Sequence, residues 1–387
     1  MCRMHLSLAR WPRWYLAGAS LAVAMLASPL AALDYVTIRQ SDRQKELAGK
    51  IEVEAADGGV LLQTRDGVLW PVKTEEIVSR RSDEKAFVPL SREELASQLA
   101  TEFPGFKIHK TQRYLIVYNT SPAYAQWVGA LFERLHGAFY NYWNRSGAAL
   151  HEPRFPLVAV VFDSQESYAL HARREIGEAT ASIIGYYSMA TNRMTMYDLT
   201  GVEQAAGGRS SPDRINQILS QPRAERTVAT IVHEATHQIA FNSGLQVRFT
   251  EMPFWVSEGI AIFFETPDLR SAKGWNGIGN VNYVNLQSFR KYVGTRKPGS
   301  LELLLCDDKR FRDAAASEDA YSEAWAFNYF LLRTHKDAYV KYLKALAEQT
   351  PLVFLEPPER MKQFQQFFGD NLAGLETDFL QYMRKVN

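Results

Sequence analysis

The sequence feature that most constrains this chain is the pentapeptide His233-Glu234-Ala235-Thr236-His237. Two histidines at positions i and i+4 stand on one face of an α-helix, so this stretch is predicted to be helical. The same spacing lets both imidazoles reach one metal ion, and Glu234 is then placed as a general base toward an attacking water. The alternative is a pair of core histidines satisfied by their neighbours, which does not account for the spacing together with the adjacent glutamate.

A third ligand is needed to hold a catalytic zinc ion with one coordination position left open. Glu258 lies 21 residues after His237, in the stretch Trp255-Val256-Ser257-Glu258-Gly259-Ile260-Ala261. Its mostly apolar neighbours predict a buried helix, and a buried carboxylate is costly unless it is paired or binds a metal. We therefore predict Glu258 as the third ligand, with a carboxylate on a helix surface as the alternative. Two imidazoles and a carboxylate favour zinc (Zn2+), although the sequence leaves other first-row divalent metals open.

Glu265 follows Glu258 by seven residues, which places it two turns further along the same helix face. From there its carboxylate can accept a hydrogen bond from a ligand imidazole and fix the tautomer of that ring. We include Glu265 in the predicted site on this basis. A solvated helix end is the alternative.

Residues 1–32 have the composition of a secretory signal peptide. Three arginines lie near the N-terminus, and no charged residue occurs between Trp14 and Leu33. Small residues at the end of the run predict cleavage after Ala32 and a mature protein that is periplasmic or secreted. The alternative is an uncleaved membrane anchor, because the run nearly reaches the ~20 residues needed to span a bilayer. No other stretch is long and apolar enough to span.

Composition and charge indicate a globular protein without a nucleic-acid partner. The chain is 46% hydrophobic and 22% charged, which is ample for two or three domains. Its formal charge is +1, and residues 1–32 contain three arginines and no acidic residue, so the mature chain carries −2. This balance offers no basic surface for nucleic acid. Only Cys306 remains after the signal peptide is removed, which excludes disulfides within the chain.

The order of the predicted elements indicates an α+β protein with three parts after the signal peptide. Alternating apolar residues and glycine turns predict a small β module over residues 34–90, a meander of SH3-like type. Residues 91–268 alternate strands and helices and should form an α/β layer around the motif helix. Residues 269–387 are predicted to be mostly helical. Residues 201–220, rich in Gly, Ser and Ala, are predicted to be a surface loop.

HEATH followed by WVSEGIAIFFE resembles the gluzincin metallopeptidases, the group with HExxH and a downstream glutamate ligand that includes thermolysin and aminopeptidase N. The WxxEGxA surroundings of the glutamate are most similar to the aminopeptidase N branch. The close resemblance covers about residues 228–268, and the full layout resembles an exported bacterial peptidase-like family of uncharacterised function. The resemblance to the gluzincins implies a thermolysin-like α/β catalytic layer, with His233, His237 and Glu258 as zinc ligands and Glu234 as the base.

The resemblance also implies a tyrosine downstream of the third ligand that stabilises the oxyanion. Tyr321 lies 63 residues after Glu258 at the start of a predicted helix, so it is the expected donor, with an aromatic packing residue as the alternative. One departure concerns the Gly-x-Met-Glu-Asn strand with which the aminopeptidases bind a free amine. The corresponding Gly185-Tyr186-Tyr187-Ser188-Met189 lacks the glutamate, so aminopeptidase activity is not expected. The predicted hairpin at 183–197 can still pair with an extended peptide.

The sequence therefore predicts a zinc-dependent peptidase that cleaves a peptide or protein substrate outside the cytoplasm, with Glu234 as general base. The alternative is a non-catalytic envelope protein that keeps the peptidase fold for binding. A protein of that kind would be expected to lose Glu234 or Tyr321, and this chain keeps both.

Overall fold

The computed structural model shows an α+β protein with a small N-terminal β-sheet, a central mixed sheet and a mostly helical C-terminal part. It describes residues 32–40, 43–177, 180, 183–201, 211–266 and 277–387. The predicted signal peptide, apart from Ala32, lies outside the described residues. Among the described helices, none has both the length and the apolar character needed to cross a membrane. The predicted α+β class and the helical C-terminal part are confirmed.

The N-terminal sheet is antiparallel, with the described strands in the order β4-β3-β2-β1-β5. The strands are β1 Ala32–Gln40, β2 Arg43–Glu54, β3 Val60–Thr64, β4 Leu69–Val72 and β5 Ile77–Ala86. Val36, Leu47 and Leu62 lie in its own small core. The predicted meander holds for β1 to β4, but it is incomplete because β5 returns to pair with β1. Strand β5 is mostly exposed and has no apolar alternation, so its sequence gives little sign of a strand.

The central sheet has the described strand order β6-β7-β8-β10-β9. Its strands are β6 Lys107–Lys110, β7 Tyr114–Tyr118, β8 Leu157–Phe162, β9 Gly185–Tyr187 and β10 Arg193–Tyr197. Strands β7, β8 and β10 are parallel, while β6 and β9 pair antiparallel at the two edges. Strands β7 and β8 are short apolar runs that are buried on both faces, as is typical of inner parallel strands.

Alternate side chains of the central strands enter two separate cores. On β7, Tyr114 and Ile116 lie in the larger core, whereas Leu115 and Val117 lie in the smaller one. Helices α2, α4 and α5 contribute to the larger core, and α1 and α3 to the smaller. These helices are α1 Arg92–Glu102, α2 Pro122–Arg145, α3 Gln165–Ile176, α4 Pro212–Leu219 and α5 Pro222–Asn242. The sheet therefore has helices on both faces, and α5, which carries the motif, lies on the side of the larger core.

The loop predicted over residues 201–220 is wrong in its second half, where α4 forms. Ser211 caps the helix by accepting a hydrogen bond from the backbone of the third helical residue. Ile215 and Leu219, one turn apart, are buried against the larger core. A cap followed by two apolar residues at helical spacing outweighed the polar composition on which the loop prediction rested. Residues 202–210 lie outside the described residues.

The C-terminal helices share the larger core with the central layer. They are α6 Phe254–Phe264, α7 Tyr283–Val293, α8 Ser300–Cys306, α9 Lys309–Arg312, α10 Ser317–Thr334, α11 Lys336–Ala347, α12 Pro357–Phe368 and α13 Leu372–Lys385. Helix α10 is central, since Trp325 and Phe327 on it are fully buried. Asn328 Nδ2 on α10 donates to Trp255 O on α6 at 2.7 Å. This hydrogen bond links α10 directly to the backbone of α6.

Candidate metal centre

Helix α5 contacts both the central sheet and α6, and it carries the polar motif into the interior. Pro222 lies in its first turn, and Gly244, with φ of +81°, follows two residues after its end, which are the usual positions of proline and glycine at the two ends of a helix. His233, Glu234 and His237 are 3%, 1% and 1% exposed. Polar side chains buried to this extent need partners, since an unpaired polar group is costly in the protein interior.

Helix α6 is buried along its whole length, so Glu258 carries its carboxylate in the protein interior. Every residue from Phe254 to Phe264 is buried, and Glu258 is 0% exposed. Gly259 allows the close approach of α10, because a Cβ at this position would lie 1.9 Å from Asn328 Nδ2 and 2.8 Å from Ala324 O. The missing side chain therefore fixes how deeply α10 packs against α6, and with it the position of Glu258.

His233, His237 and Glu258 converge on one point, and we call these three residues the triad. His233 Nε2 lies 3.1 Å from His237 Nε2 and 3.1 Å from Glu258 Oε2, and His237 Nε2 lies 3.8 Å from Glu258 Oε1. Ligand atoms about 2.0–2.1 Å from a tetrahedral zinc ion are separated by about 3.3 Å. The measured distances lie on either side of this value, so the triad fits a zinc ion with a fourth position for water or substrate.

The electrostatics of the triad also fit a cation. Glu258 Oε1 is buried and accepts no hydrogen bond within the described part of the chain, which is costly for a carboxylate oxygen without a ligand. Burial opposes the negative charge of Glu258, but His237 and His233 lower its pKa to about 2. Burial likewise opposes a positive charge on His233, yet hydrogen bonds to Glu258 and Glu265 raise its pKa well above the usual value. The surroundings thus favour a positive charge at His233, whereas burial lowers the pKa of His237 and keeps its imidazole neutral, as a metal ligand must be.

Each imidazole of the triad has a partner on its second ring nitrogen. Glu265 Oε1 lies 2.5 Å from His233 Nδ1, and Asn282 Nδ2 donates to Glu265 Oε2 at 3.3 Å. Ser257 Oγ lies 3.2 Å from His237 Nδ1. A carboxylate at Nδ1 of His233 places the proton on that nitrogen and leaves the Nε2 lone pair for a metal. The structure therefore places the Glu265 carboxylate at the imidazole of His233, and its role in orienting a metal ligand stays a prediction.

Replacement of Glu265 by alanine is expected to weaken zinc binding by about 10–100-fold, the usual cost of removing a group that orients a ligand. The reason is that His233 loses the acceptor that fixes its tautomer and ring orientation. Zinc affinity is measured by competition with a chromogenic chelator. The matched control is Ser257→Ala, which removes the weaker neutral partner of His237 and should have a smaller effect. Unchanged affinity in Glu265→Ala would show that the carboxylate does not support the ligand.

Glu234 points toward the edge of the central sheet. Tyr187 on β9 donates its backbone N–H to Glu234 Oε2 at 2.9 Å. Burial raises the pKa of Glu234 to about 7, and the charge on His233 opposes this shift. A carboxylate with a pKa near neutrality can both accept and return a proton, which is the property required of a general base that later acts as an acid. The chemistry predicted for Glu234 is thus compatible with its surroundings.

Tyr321 lies near the start of α10, the helix that packs against α6. Its half-buried ring makes an edge-to-face contact with Phe311, with ring centroids 5.3 Å apart. The ring centroid of Phe311 in turn lies 5.7 Å from that of Phe254, the first residue of α6. Tyr321 is therefore joined through one aromatic residue to the helix that carries Glu258. Its role as an oxyanion donor stays a prediction.

Gly259→Ala is expected to lower the free energy of unfolding by about 1–3 kcal/mol, the usual cost of overpacking a dense core. The added methyl group would overlap Asn328 Nδ2 and crowd Ala324 O, so α10 or α6 must move and Glu258 moves with it. Zinc binding should weaken in the same variant. Urea unfolding and chelator competition measure the two effects.

Gly137→Ala is the matched control for this prediction. Gly137 lies within α2, and a Cβ there meets no atom within 4 Å. Alanine costs less backbone entropy in a helix, so this variant should gain about 0.5–1 kcal/mol. Equal effects of the two substitutions would contradict the close approach at Gly259.

Sequence reasoning missed two residues that position this site, Tyr187 and Gly259. Tyr187 acts through its backbone N–H, which any residue except proline would supply, so its side-chain type carries no signal. Gly259 directly follows Glu258 in a helix that is otherwise apolar. A glycine inside a buried helix is unfavourable unless another element packs closely there, and that signal was available.

Comparison with known proteins adds a family match but no function. Residues 227–353 match the family described as "Protein of unknown function (DUF1570)". The matched segment is less than half of the chain, and it contains the triad, Glu234 and Tyr321. No curated protein matches the chain. The chemistry is therefore argued from the site itself and from the sequence resemblance around it.

Proposed function

We propose that this protein is a zinc-dependent peptidase that acts outside the cytoplasm, either in the periplasm or as a secreted protein. The observation that carries the proposal is the convergence of His233, His237 and Glu258, whose ligand atoms lie within 4.8 Å of one another beside Glu234. The resemblance of the sequence around these residues to the gluzincins supports the same activity. It also supports a thermolysin-like arrangement of the central layer.

The residues of the proposed site have separate tasks. A zinc ion in the site would act as a Lewis acid, which lowers the pKa of water toward neutrality and polarises a carbonyl oxygen. The triad would hold that ion, and Glu265 keeps the His233 ring oriented. Glu234 takes the proton from the attacking water and passes it to the leaving amine. Tyr321 donates a hydrogen bond to the carbonyl oxygen as negative charge develops on it.

The edge of the central sheet is the proposed binding surface for the substrate backbone. Strand β9 is the last strand on its side of the described sheet, and Tyr187 on it contacts Glu234. Strand β9 is buried and its Tyr187 N–H is taken by Glu234, so an extended peptide would pair with the remaining backbone groups of this edge, which lie beside the general base. Ser188 stands where the aminopeptidases have the glutamate that binds a free amine, so removal of N-terminal residues is not part of the proposal.

The proposal is tested with the purified mature protein and a mixture of peptides of many sequences. We expect stoichiometric zinc by elemental analysis and new peptide termini by mass spectrometry. Removal of zinc with a chelator should abolish cleavage, and added zinc should restore it. His237→Ala should lose both zinc and cleavage, because a ligand is removed. Stoichiometric zinc without new termini would favour the alternative, a non-catalytic envelope protein that keeps the fold for binding.

A further inference from the structure

A buried arginine joins the N-terminal sheet, β1 to β5, to the hairpin formed by β9 and β10. Arg248 lies between α5 and α6 and is 7% exposed. Its Nη2 donates to Gly67 O at 2.9 Å, in the turn between β3 and β4. Its Nη1 donates to Met189 O at 3.0 Å, in the turn between β9 and β10. Close by, Leu69 N donates to Ala190 O at 2.8 Å, so two links cross the same contact between the sheets.

Arg248 is costly to bury, and it is stabilised only when both sheets are in place. Burial lowers the pKa of Arg248, and the Glu52 carboxylate on β2 opposes this shift only in part. Its described hydrogen bonds go to backbone carbonyl groups of the two turns. A buried guanidinium without such acceptors is strongly unfavourable. Arg248 therefore stabilises the one arrangement in which the N-terminal sheet lies against the β9–β10 turn.

Helix α5, which carries the motif, also holds the β9–β10 turn in place. Tyr187 Oη donates to Asn192 Oδ1 at 2.8 Å, and Asn192 Nδ2 donates to Asn242 Oδ1 on α5 at 2.8 Å. Tyr187 lies two residues before Met189, the acceptor of the arginine, and its N–H is bonded to Glu234. A shift of the turn would move Tyr187 N–H away from the Glu234 carboxylate.

We propose that the N-terminal sheet is a working part of the candidate site and acts through Arg248 as a positioning residue. Arg248 fixes the β9–β10 turn, the turn fixes Tyr187, and Tyr187 orients Glu234. The inference rests on the proposed function, because it assigns the sheet a task in the same reaction. Arg248 itself touches neither the triad nor Glu234 through any of its described hydrogen bonds.

The test uses the full mature chain with two substitutions, Arg248→Met and Arg248→Lys. Methionine keeps the unbranched stem and removes every donor, whereas lysine keeps the charge but lacks the fork that reaches both carbonyls. We expect kcat to fall roughly 10-fold or more in Arg248→Met, because displacement of a catalytic group by about 1 Å costs up to about 10²-fold. Arg248→Lys should lower kcat less than Arg248→Met does. It also allows kcat to be measured if the methionine variant does not fold. Zinc content should be unchanged in both variants.

Hydrogen exchange gives a readout that does not depend on catalysis. The peptide containing Tyr187 should exchange faster in both variants, because the N–H bonded to Glu234 is no longer held in place. The matched control is Arg113→Met, which removes a partly buried ion pair with Glu133 on α2 at 3.0 Å. It should lower Tm without changing kcat or the exchange at Tyr187.

The outcomes separate the inference from the proposed function. Wild-type kcat and wild-type exchange at Tyr187 in both Arg248 variants, with only a lower Tm as in Arg113→Met, would overturn the inference. Faster exchange with unchanged kcat would overturn it as well, since the turn would then be mobile without consequence for catalysis. If the wild-type protein cleaves nothing, the proposed function fails. The exchange at Tyr187 still decides in that case whether Arg248 holds the turn.

Discussion

Replacement of Glu234 by glutamine is expected to abolish most peptide cleavage while zinc stays bound. The substitution keeps the size of the side chain and an oxygen that can accept the hydrogen bond from Tyr187 N. It removes the group that accepts and returns the proton, and general acid–base catalysis contributes about 10²–10⁴-fold to a rate. The triad is untouched, so the metal content should equal that of the wild type. A fall in kcat of this size with stoichiometric zinc is the expected result.

The matched control for Glu234→Gln is Glu133→Gln on α2. Glu133 is a carboxylate that is less buried than Glu234, and it accepts hydrogen bonds from Thr111 and Arg113. Its hydrogen bonds and the ion pair with Arg113 lower the pKa of Glu133 against the effect of burial, so the substitution costs stability. It should leave kcat unchanged. If Glu234→Gln cleaved peptides at the wild-type rate, Glu234 would not be the base and the mechanism would be wrong.

The central elements of the fold could be predicted because their signals are local. Strand β8 is buried on both faces and therefore appears in the sequence as a short apolar run with the bounds of the strand itself. The motif in α5 needs only helical periodicity to bring His233 and His237 onto one face. Glu258 could be predicted for a related reason, because a carboxylate among apolar residues is expected to be buried and then needs a partner.

The remaining features depend on contacts between distant segments. Strand β5 pairs with β1 although most of its residues are exposed, so backbone pairing holds it in place rather than an apolar face. The positioning contacts use backbone groups, namely the N–H of Tyr187 and the carbonyl of Met189. Almost every residue type supplies such groups, so the sequence does not mark them. Arg248 was missed because its acceptors are backbone carbonyl groups of two turns that are distant in the sequence, although apolar Val247 and Phe249 flank it.

Tyr321→Phe is expected to lower kcat by about 10²–10³-fold, which is the usual cost of removing one oxyanion donor. Only a hydroxyl group is lost, and the ring contact with Phe311 is kept, so zinc content and Tm should stay at wild-type values. KM should change much less than kcat, because the negative charge develops only on the way to the transition state. The matched control is Tyr329→Phe. Tyr329 lies on the same helix with its ring against other aromatic residues, and its substitution should leave kcat unchanged.

The competing role for Tyr321 is packing, and the aromatic contacts allow the two roles to be separated. If the ring serves only to fill the space beside Phe311, Tyr321→Phe should leave kcat at the wild-type value. Tyr321→Ala would then lower Tm through the cavity that it leaves. If the hydroxyl is the donor, both variants lose activity, but only the alanine variant loses stability as well. A wild-type kcat in Tyr321→Phe would therefore remove Tyr321 from the proposed site and leave Glu234 and the triad as the residues that carry the chemistry.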